Sequence, residues 1–165
     1  MHELQVIFIM GVSGSGKTTI GKLLSAKADM PFFDGDDFHP TANVEKMKAG
    51  IALSDEDRAG WLRTMANLAK EQLKQKGAVI ACSALKKKYR SILSAGIEQN
   101  VKWIFLNGPI DLVRERMKER QGHYMPPTLL QSQFDILEAP EDCILVDIQQ
   151  TPAAIVDQLV TSLQL

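Results

Sequence analysis

Apolar residues along the chain fall into two kinds of run. Leu4–Met10 (LQVIFIM) is nearly continuous, as expected of a parallel strand buried on both faces. Ala78–Cys82, Trp103–Leu106 and Ile144–Val146 are shorter runs of the same kind, and Phe32-Phe33 begins another that ends near Asp34. Between them the spacing turns helical. Ile20, Leu23, Leu24 and Ala28 predict one face of a helix over Thr18–Ala28, ended before Pro31. Leu62, Met65, Ala69 and Leu73 predict the inner face of a long helix, Ser54–Lys76. Ser54 caps it, Asp55, Glu56 and Asp57 complement its dipole, and Gly77 stops it. Further helices are expected over Lys86–Glu98, Ile110–Arg120, Thr128–Glu138 and Pro152–Leu163.

Strands alternating with helices predict an α/β fold, a parallel sheet covered on both faces. Such sheets bind ligands beyond the carboxyl ends of their strands, so the residues just after each strand carry the functional information. No repeat, linker or low-complexity tract interrupts the pattern, and 165 residues suit a single domain, 1–165.

Composition narrows the class. Apolar content of 45% and charged content of 24% are those of a soluble globular chain. A net charge of −1 and no long basic run argue against a nucleic-acid partner, and Lys87 and Lys88 are expected on a solvated helix start. Cys82 and Cys143 make neither a disulfide framework nor a zinc site. Both are expected as buried free thiols in a reducing, cytoplasmic setting. No apolar stretch approaches the ~20 residues that span a bilayer. The first apolar run leads into a functional motif with no basic segment before it, which argues against a cleaved signal peptide.

That motif is Gly11-Val12-Ser13-Gly14-Ser15-Gly16-Lys17-Thr18, a full match to G-x-x-x-x-G-K-[ST] between a strand and a helix. Phosphate oxygens are met there by backbone N–H groups, so the chain curls tightly and glycines permit the curl. The helix dipole faces the anion, Lys17 brings a charge to the β and γ phosphates, and the Thr18 hydroxyl suits Mg²⁺. A guanine-reading N-K-x-D element is absent from the sequence, which excludes a GTPase of the usual kind. Asp147, closing the last apolar run, either starts a loop beside the nucleotide base or caps its own turn.

The remaining candidates lie on the acceptor side. Asp34, Asp36 and Asp37 follow the second strand and suit two tasks: outer-shell holding of Mg²⁺ and accepting the proton of an attacking hydroxyl. His39 either bonds a substrate hydroxyl or locks its own loop against Pro40. Arg58 suits a substrate carboxylate, or else pairs with Glu56 or Asp57 at the surface. Ser83, Lys86 and Arg90 follow the third strand, and the spacing of Lys86 and Arg90 predicts one shared helix face. Arg116 and Arg120 precede a Gly/Pro-rich break, as in a lid over about 114–130 that brings a guanidinium to the transferring phosphate.

Taken together, these segments resemble the small bacterial-type gluconate kinases. The resemblance runs through GVSGSGKT at 11–18, DGDDFHP at 34–40, N-x-x-K-M-x-x-G at 43–50 and LSDEDRAGWL at 53–62. It continues through ACSALKKKYR at 81–90, R-x-x-x-R-x-x-H-Y-M at 116–125 and LLQSQFDILEAP at 129–140. It implies a three-layer P-loop fold like that of the nucleoside monophosphate kinases, with strand order 2-3-1-4-5 and a lid. It also implies ATP and Mg²⁺ as cofactors, D-gluconate as substrate and a homodimer. By position, Gly11, Val12, Ser13, Gly14, Ser15, Gly16, Lys17 and Thr18 would bind ATP, and Asp36 would be the acceptor-side carboxylate. Asp34 would lie nearer the metal with Thr18. His39, Arg58, Ser83, Lys86 and Arg90 would face gluconate, and Arg120 would be the lid arginine. Gly60, Tyr124 and Asp37 depart from the common family pattern, and Asp37 leaves the division of labour among the aspartates open. The rivals are a kinase of another hydroxy acid, such as shikimate, and a non-catalytic ATP-binding regulator. The CSALK…YR segment favours gluconate.

Overall fold

Every residue of β1 (Val6–Met10) is fully buried, which makes this strand the centre of the molecule. A computed structural model describes residues 3–120 and 126–165. β1 pairs in parallel with β3 (Ala78–Ala81) on one side and β4 (Val101–Asn107) on the other. β2 (Phe32–Asp34) adds to β3, and β5 (Ile144–Asp147) adds to β4. The sheet order is therefore β2-β3-β1-β4-β5, the order the resemblance implies.

Alternation along β1 divides the core in two. Ile7 and Ile9 face a cluster containing Ile20 and Leu24 of α1 (Lys17–Ala28) and Ile155 and Leu159 of α7 (Pro152–Leu163). Val6, Phe8 and Met10 face the other cluster, with Trp61, Leu62, Met65 and Ala69 of α3 (Asp55–Leu73). Tyr89 and Leu93 of α4 (Lys87–Ser94) join that second side. Because all five strands run the same way, Met10, Asp34, Ala81, Asn107 and Asp147 end at one edge of the sheet.

Several expected boundaries move, each for a local reason. Leu23 is 43% exposed rather than on the inner face of α1, where Ile20, Gly21 and Leu24 suffice. α4 stops at Ser94, because Gly96 takes a left-handed backbone (φ 82°) and a short 3₁₀ turn, Glu98–Asn100, follows. α2 (Thr41–Lys48) has no counterpart among the expected helices, and its buried residue is the polar Asn43. α5 (Ile110–Glu119) and α6 (Pro127–Ile136) lie close to the expected spans. Residues 121–125, the middle of the expected lid, lie outside the described residues. Cys82 is buried, and its thiol pKa is pushed up to about 12 by desolvation; Cys143 is only half-buried.

The long helix α3 is capped at Ser54 as anticipated but ends at Leu73, three residues before the expected Lys76, and a turn carries the chain to Gly77. Ser54 Oγ accepts from Asp57 N–H at 3.1 Å, and Asp57 Oδ2 accepts from Ser54 N–H at 2.9 Å, a complete capping box. At the far end Gly77 N–H bonds Gln72 O at 2.8 Å with φ 78°, and a Cβ there would lie 2.2 Å from Gln5 O. Gly77→Ala is expected to destabilise the fold by about 1–3 kcal/mol, the cost of a strained left-handed residue. Urea denaturation of both proteins measures it, and equal midpoints would contradict this account of the turn.

Candidate active site

The cradle forms where β1 ends. Gly11, Gly14 and Gly16 take φ values of 152°, 79° and 102°, a path that only glycine follows without strain. α1 then starts at Lys17, so its positive dipole end faces the loop. Lys17 Nζ donates to Gly11 O at 3.0 Å and Val12 O at 2.9 Å. Burial pushes the Lys17 pKa below its ordinary 10.5, opposed first by the charge of Asp36, while Arg120 adds to the fall. Both Asp36 and the exposed Arg120 thus lie within electrostatic reach of the cradle lysine.

Thr18 and Asp34, the two residues expected near the metal, meet at the cradle. Thr18 Oγ1 donates to Asp34 Oδ2 at 2.8 Å, and Asp34 Oδ1 accepts from Asp36 N–H at 3.0 Å. These are hard oxygen donors beside a phosphate cradle. Among the described residues no group of three His, Cys, Asp or Glu side chains could enclose a metal. Two oxygen donors at the cradle fit Mg²⁺, which keeps its waters and takes one or two protein oxygens besides phosphate.

Asp36 and Asp37 lie on a 3₁₀ turn, Gly35–Phe38, and both are exposed. The turn is held from behind, where Trp61 Nε1–H donates to Gly35 O at 2.8 Å. His39 follows, stacked on Trp61 with ring centroids 4.2 Å apart and planes 14° from parallel. The Asn43 amide settles its tautomer. Asn43 Nδ2 donates to Asp57 O at 2.9 Å, which fixes the NH₂ end of the amide. The same NH₂ lies 3.3 Å from His39 Nδ1, so Nδ1 accepts and the neutral ring carries its proton on Nε2. One face and one nitrogen of His39 lock the loop, while Nε2–H remains as a donor. The lock uses Trp61 and Asn43 rather than Pro40.

On the far side, α3 and the start of α4 bring cations together around Tyr89. Arg58 Nη1 donates to Leu53 O at 2.6 Å and to Tyr89 Oη at 3.1 Å. Its guanidinium lies 5.3 Å from the Tyr89 ring centre, and Lys86 Nζ lies 5.6 Å from it. Asp55 accepts from Tyr89 Oη–H, Lys88 Nζ and Lys86 Nζ. The Lys88 bond first, then those of Tyr89 and Lys86, hold the Asp55 carboxyl well below its usual range. Surface pairing of Arg58 with Glu56 or Asp57 does not occur among the described contacts; Asp57 pairs with Lys46 at 2.8 Å.

Other candidates are placed differently. Ser83 O accepts from Gly11 N–H at 3.3 Å, tying the loop after β3 to the cradle. Arg90 does not join Lys86. Its Nη1 donates to Ala84 O at 2.8 Å and its Nη2 to Glu138 O at 2.8 Å, and the residue is 8% exposed. The guanidinium is a brace between two loops. Lys86 is the N-cap of α4 with extended backbone, so helical spacing never applied to this pair. Arg116 donates to Ile148 O and braces the loop after β5. Asp147 Oδ1 accepts from Gln149 N–H at 2.9 Å, capping its own turn. Sequence reasoning also passed over Asn43, Tyr89 and Gln133; the last sits on α6 and bonds Ser13 of the cradle.

Desolvation pushes the His39 pKa below its ordinary 6.5, with Asp36 opposing and Arg58 assisting. A lowered folded-state value means the unfolded chain gains the proton first. Stability is therefore intact above about pH 6.5 and falls as pH drops from there toward the folded value. His39→Gln should show a smaller loss of Tm between pH 7.5 and pH 5.5 than the parent, by thermal melts. An equal loss in both would place the titration elsewhere.

Comparison with known proteins gives a consistent result. A family profile described as shikimate kinase matches residues 13–163. The chain is 45% identical over 156 residues to a thermosensitive gluconokinase of Escherichia coli (strain K12), covering 91% of this chain and 82% of that protein. A solved gluconokinase from Sinorhizobium meliloti 1021 is 37% identical and superposes with a TM-score of 0.88, covering 99% of this chain and 94% of that one. A shikimate kinase structure from Aquifex aeolicus vf5 has a TM-score of 0.63, covering 97% of this chain and 96% of that one; at 18% identity it shares the fold alone.

Proposed function

We propose that this chain, which belongs to the gluconokinase family, transfers the γ-phosphoryl group of ATP to the terminal hydroxyl of D-gluconate, giving 6-phospho-D-gluconate and ADP. The observation that carries the substrate assignment within the site is the order of charges. Lys17 feels Asp36, and His39 feels both Asp36 and Arg58. Arg58 in turn shares Tyr89 with Lys86. Asp36 thus lies near both the phosphate cradle and His39, and His39 lies near Arg58, which shares Tyr89 with Lys86. Gluconate has a terminal hydroxyl for Asp36 and a carboxylate for the cations, with hydroxyls between for His39 Nε2–H.

In this reading Gly11–Thr18 hold the triphosphate. Lys17 leaves the carbonyls of Gly11 and Val12 for the β and γ phosphates. Thr18 and Asp34 are the protein oxygens that would hold Mg²⁺, which when bound neutralises charge on the phosphates. Asp36 positions the attacking hydroxyl and takes its proton as the oxygen–phosphorus bond forms. Arg120 supplies charge to the transferring group. Arg58 and Lys86 take the substrate carboxylate, and Ser83, whose carbonyl bonds Gly11 of the cradle, faces the substrate from the cradle side. Arg90 is a brace in this reading rather than a substrate ligand. A homodimer in a cytoplasmic setting completes it.

With MgATP, gluconate should drive ADP release much faster than shikimate, glucose or nucleoside monophosphates in a coupled assay. Absence of a gluconate-dependent signal would defeat the assignment. Asp36→Asn should lower kcat ~10²-fold or more while ATP still binds, as for loss of a general base. A kcat near that of the parent would remove Asp36 from the chemistry.

A further inference from the structure

A loop that turns its N–H groups toward one point has few backbone partners of its own to keep it curved. In this cradle the internal ties are sparse. Ser15 N–H reaches Val12 O at 3.2 Å, Gly11 N–H reaches Ser83 O at 3.3 Å, and Lys17 Nζ holds the carbonyls of Gly11 and Val12. The Lys17 tie conflicts with function, because the same ammonium is required at the phosphates. One further clamp comes from 120 residues away. Gln133 Oε1 accepts from Ser13 N–H at 2.7 Å, and Gln133 Nε2 donates to Ser13 Oγ at 3.0 Å. The orientation of this amide is unambiguous, since a backbone N–H only donates and so must face the oxygen.

The clamp rests on a fixed base. Leu129 and Leu130 lie four and three residues before Gln133 on α6, hence on its face, and both are buried in the core. The next residue of the cradle meets the neighbouring helix. A Cβ on Gly14 would lie 2.7 Å from Met117 Cγ and 3.2 Å from Val113 Cγ1 of α5. Two consecutive residues of the loop are thus seated on two helices from the second half of the chain.

We propose that Gln133 is a positioning residue of the phosphate cradle. Its amide takes both polar groups of Ser13 and keeps the Val12–Gly14 turn in the curve that receives nucleotide phosphate, including when Lys17 has left the loop carbonyls. The inference rests on the kinase reading above. It concerns nucleotide affinity, and the acceptor pocket around Arg58 and Tyr89 is not part of it.

The test is equilibrium binding of MgATP and MgADP by calorimetry, with steady-state KM values for ATP and gluconate. Gln133→Ala should weaken both nucleotides about 10-fold, as for loss of two hydrogen bonds that pre-shape the loop. KM for gluconate should stay within about twofold. Gln133→Met keeps bulk and helix propensity without the amide, and should match Gln133→Ala. Ser13→Ala retains the N–H bond and should cost less, and the Ser13→Ala/Gln133→Ala double variant should bind like Gln133→Ala alone. Additive effects, or parent-like nucleotide affinity in Gln133→Met, would overturn the proposal. So would a lowered Tm with unchanged nucleotide Kd, the pattern of a purely structural contact. If the parent protein itself bound no MgATP, the kinase reading would fail and this inference with it. If the parent bound MgATP and the variants bound equally well, only this inference would fall.

Discussion

The need to gather backbone N–H groups around an anion governs the rest of this molecule. Such a loop requires left-handed turns at Gly11, Gly14 and Gly16, and these stabilise nothing by themselves. The loop must therefore be suspended between rigid supports. β1 supplies one: it is fully buried, hydrogen-bonded on both sides, and delivers Gly11 to the sheet edge. α1 supplies the other, with Ile20 and Leu24 anchored in the core. Parallel strands then bring the ends of β2 and β3 to the same edge, so Asp34 reaches Thr18 and Ser83 O reaches Gly11. The site follows from placing one anion-binding loop at the centre of a parallel sheet.

The acceptor side is held by different means. Its 3₁₀ turn and α2 contribute little apolar surface to the core. They are tied down by single directional contacts, Trp61 to Gly35 O, Asn43 to His39 and Asp57 O, and Lys46 to Asp57. Asp57 is central to this set, because it also closes the capping box of α3. Lys46 first, then Ser54, hold its carboxyl at about 2, so the network stays charged across the neutral range. A polar scaffold of this kind fixes the orientation of each donor, and orientation matters more than added affinity where a hydroxyl must be aimed at phosphorus.

What could be read from the chain follows the range of the interactions involved. The cradle was legible because its geometry is dictated within eight consecutive residues, and β1 because two-sided burial leaves an unbroken apolar run. α2 was not, since Asn43 is its buried residue and no apolar period marks it. Arg90 shows the limit of spacing rules. Lys86 and Arg90 are four apart, but Lys86 has φ −101° and ψ 146° as the residue before the helix. The two cations therefore diverge, one toward Asp55 and the other toward the carbonyls of Ala84 and Glu138. The candidates Arg58 and Lys86 did come together, but through Tyr89 and Asp55, a meeting of α3 with the start of α4 that local pattern does not encode. Gln133 and Ser13, 120 positions apart, are the same case at longer range.

The Asp55 cluster bears on why an acid rather than a neutral sugar would be selected. Lys86 and Lys88 bond the Asp55 carboxylate and Arg58 joins them through Tyr89, so the cluster holds more cations than carboxylates. Asp55 is nearly half exposed, and solvent screens its hold on the two lysines. Arg58 is not bonded to Asp55 directly; Tyr89 Oη stands between, accepting from one and donating to the other. The guanidinium is thereby oriented without being neutralised. A neutral sugar would have to displace hydration from these cations with no charge to offer in return, whereas a carboxylate replaces water with a charge-assisted bond. In the proposed reading, discrimination at this end would depend on the surplus of cations over carboxylate in the cluster.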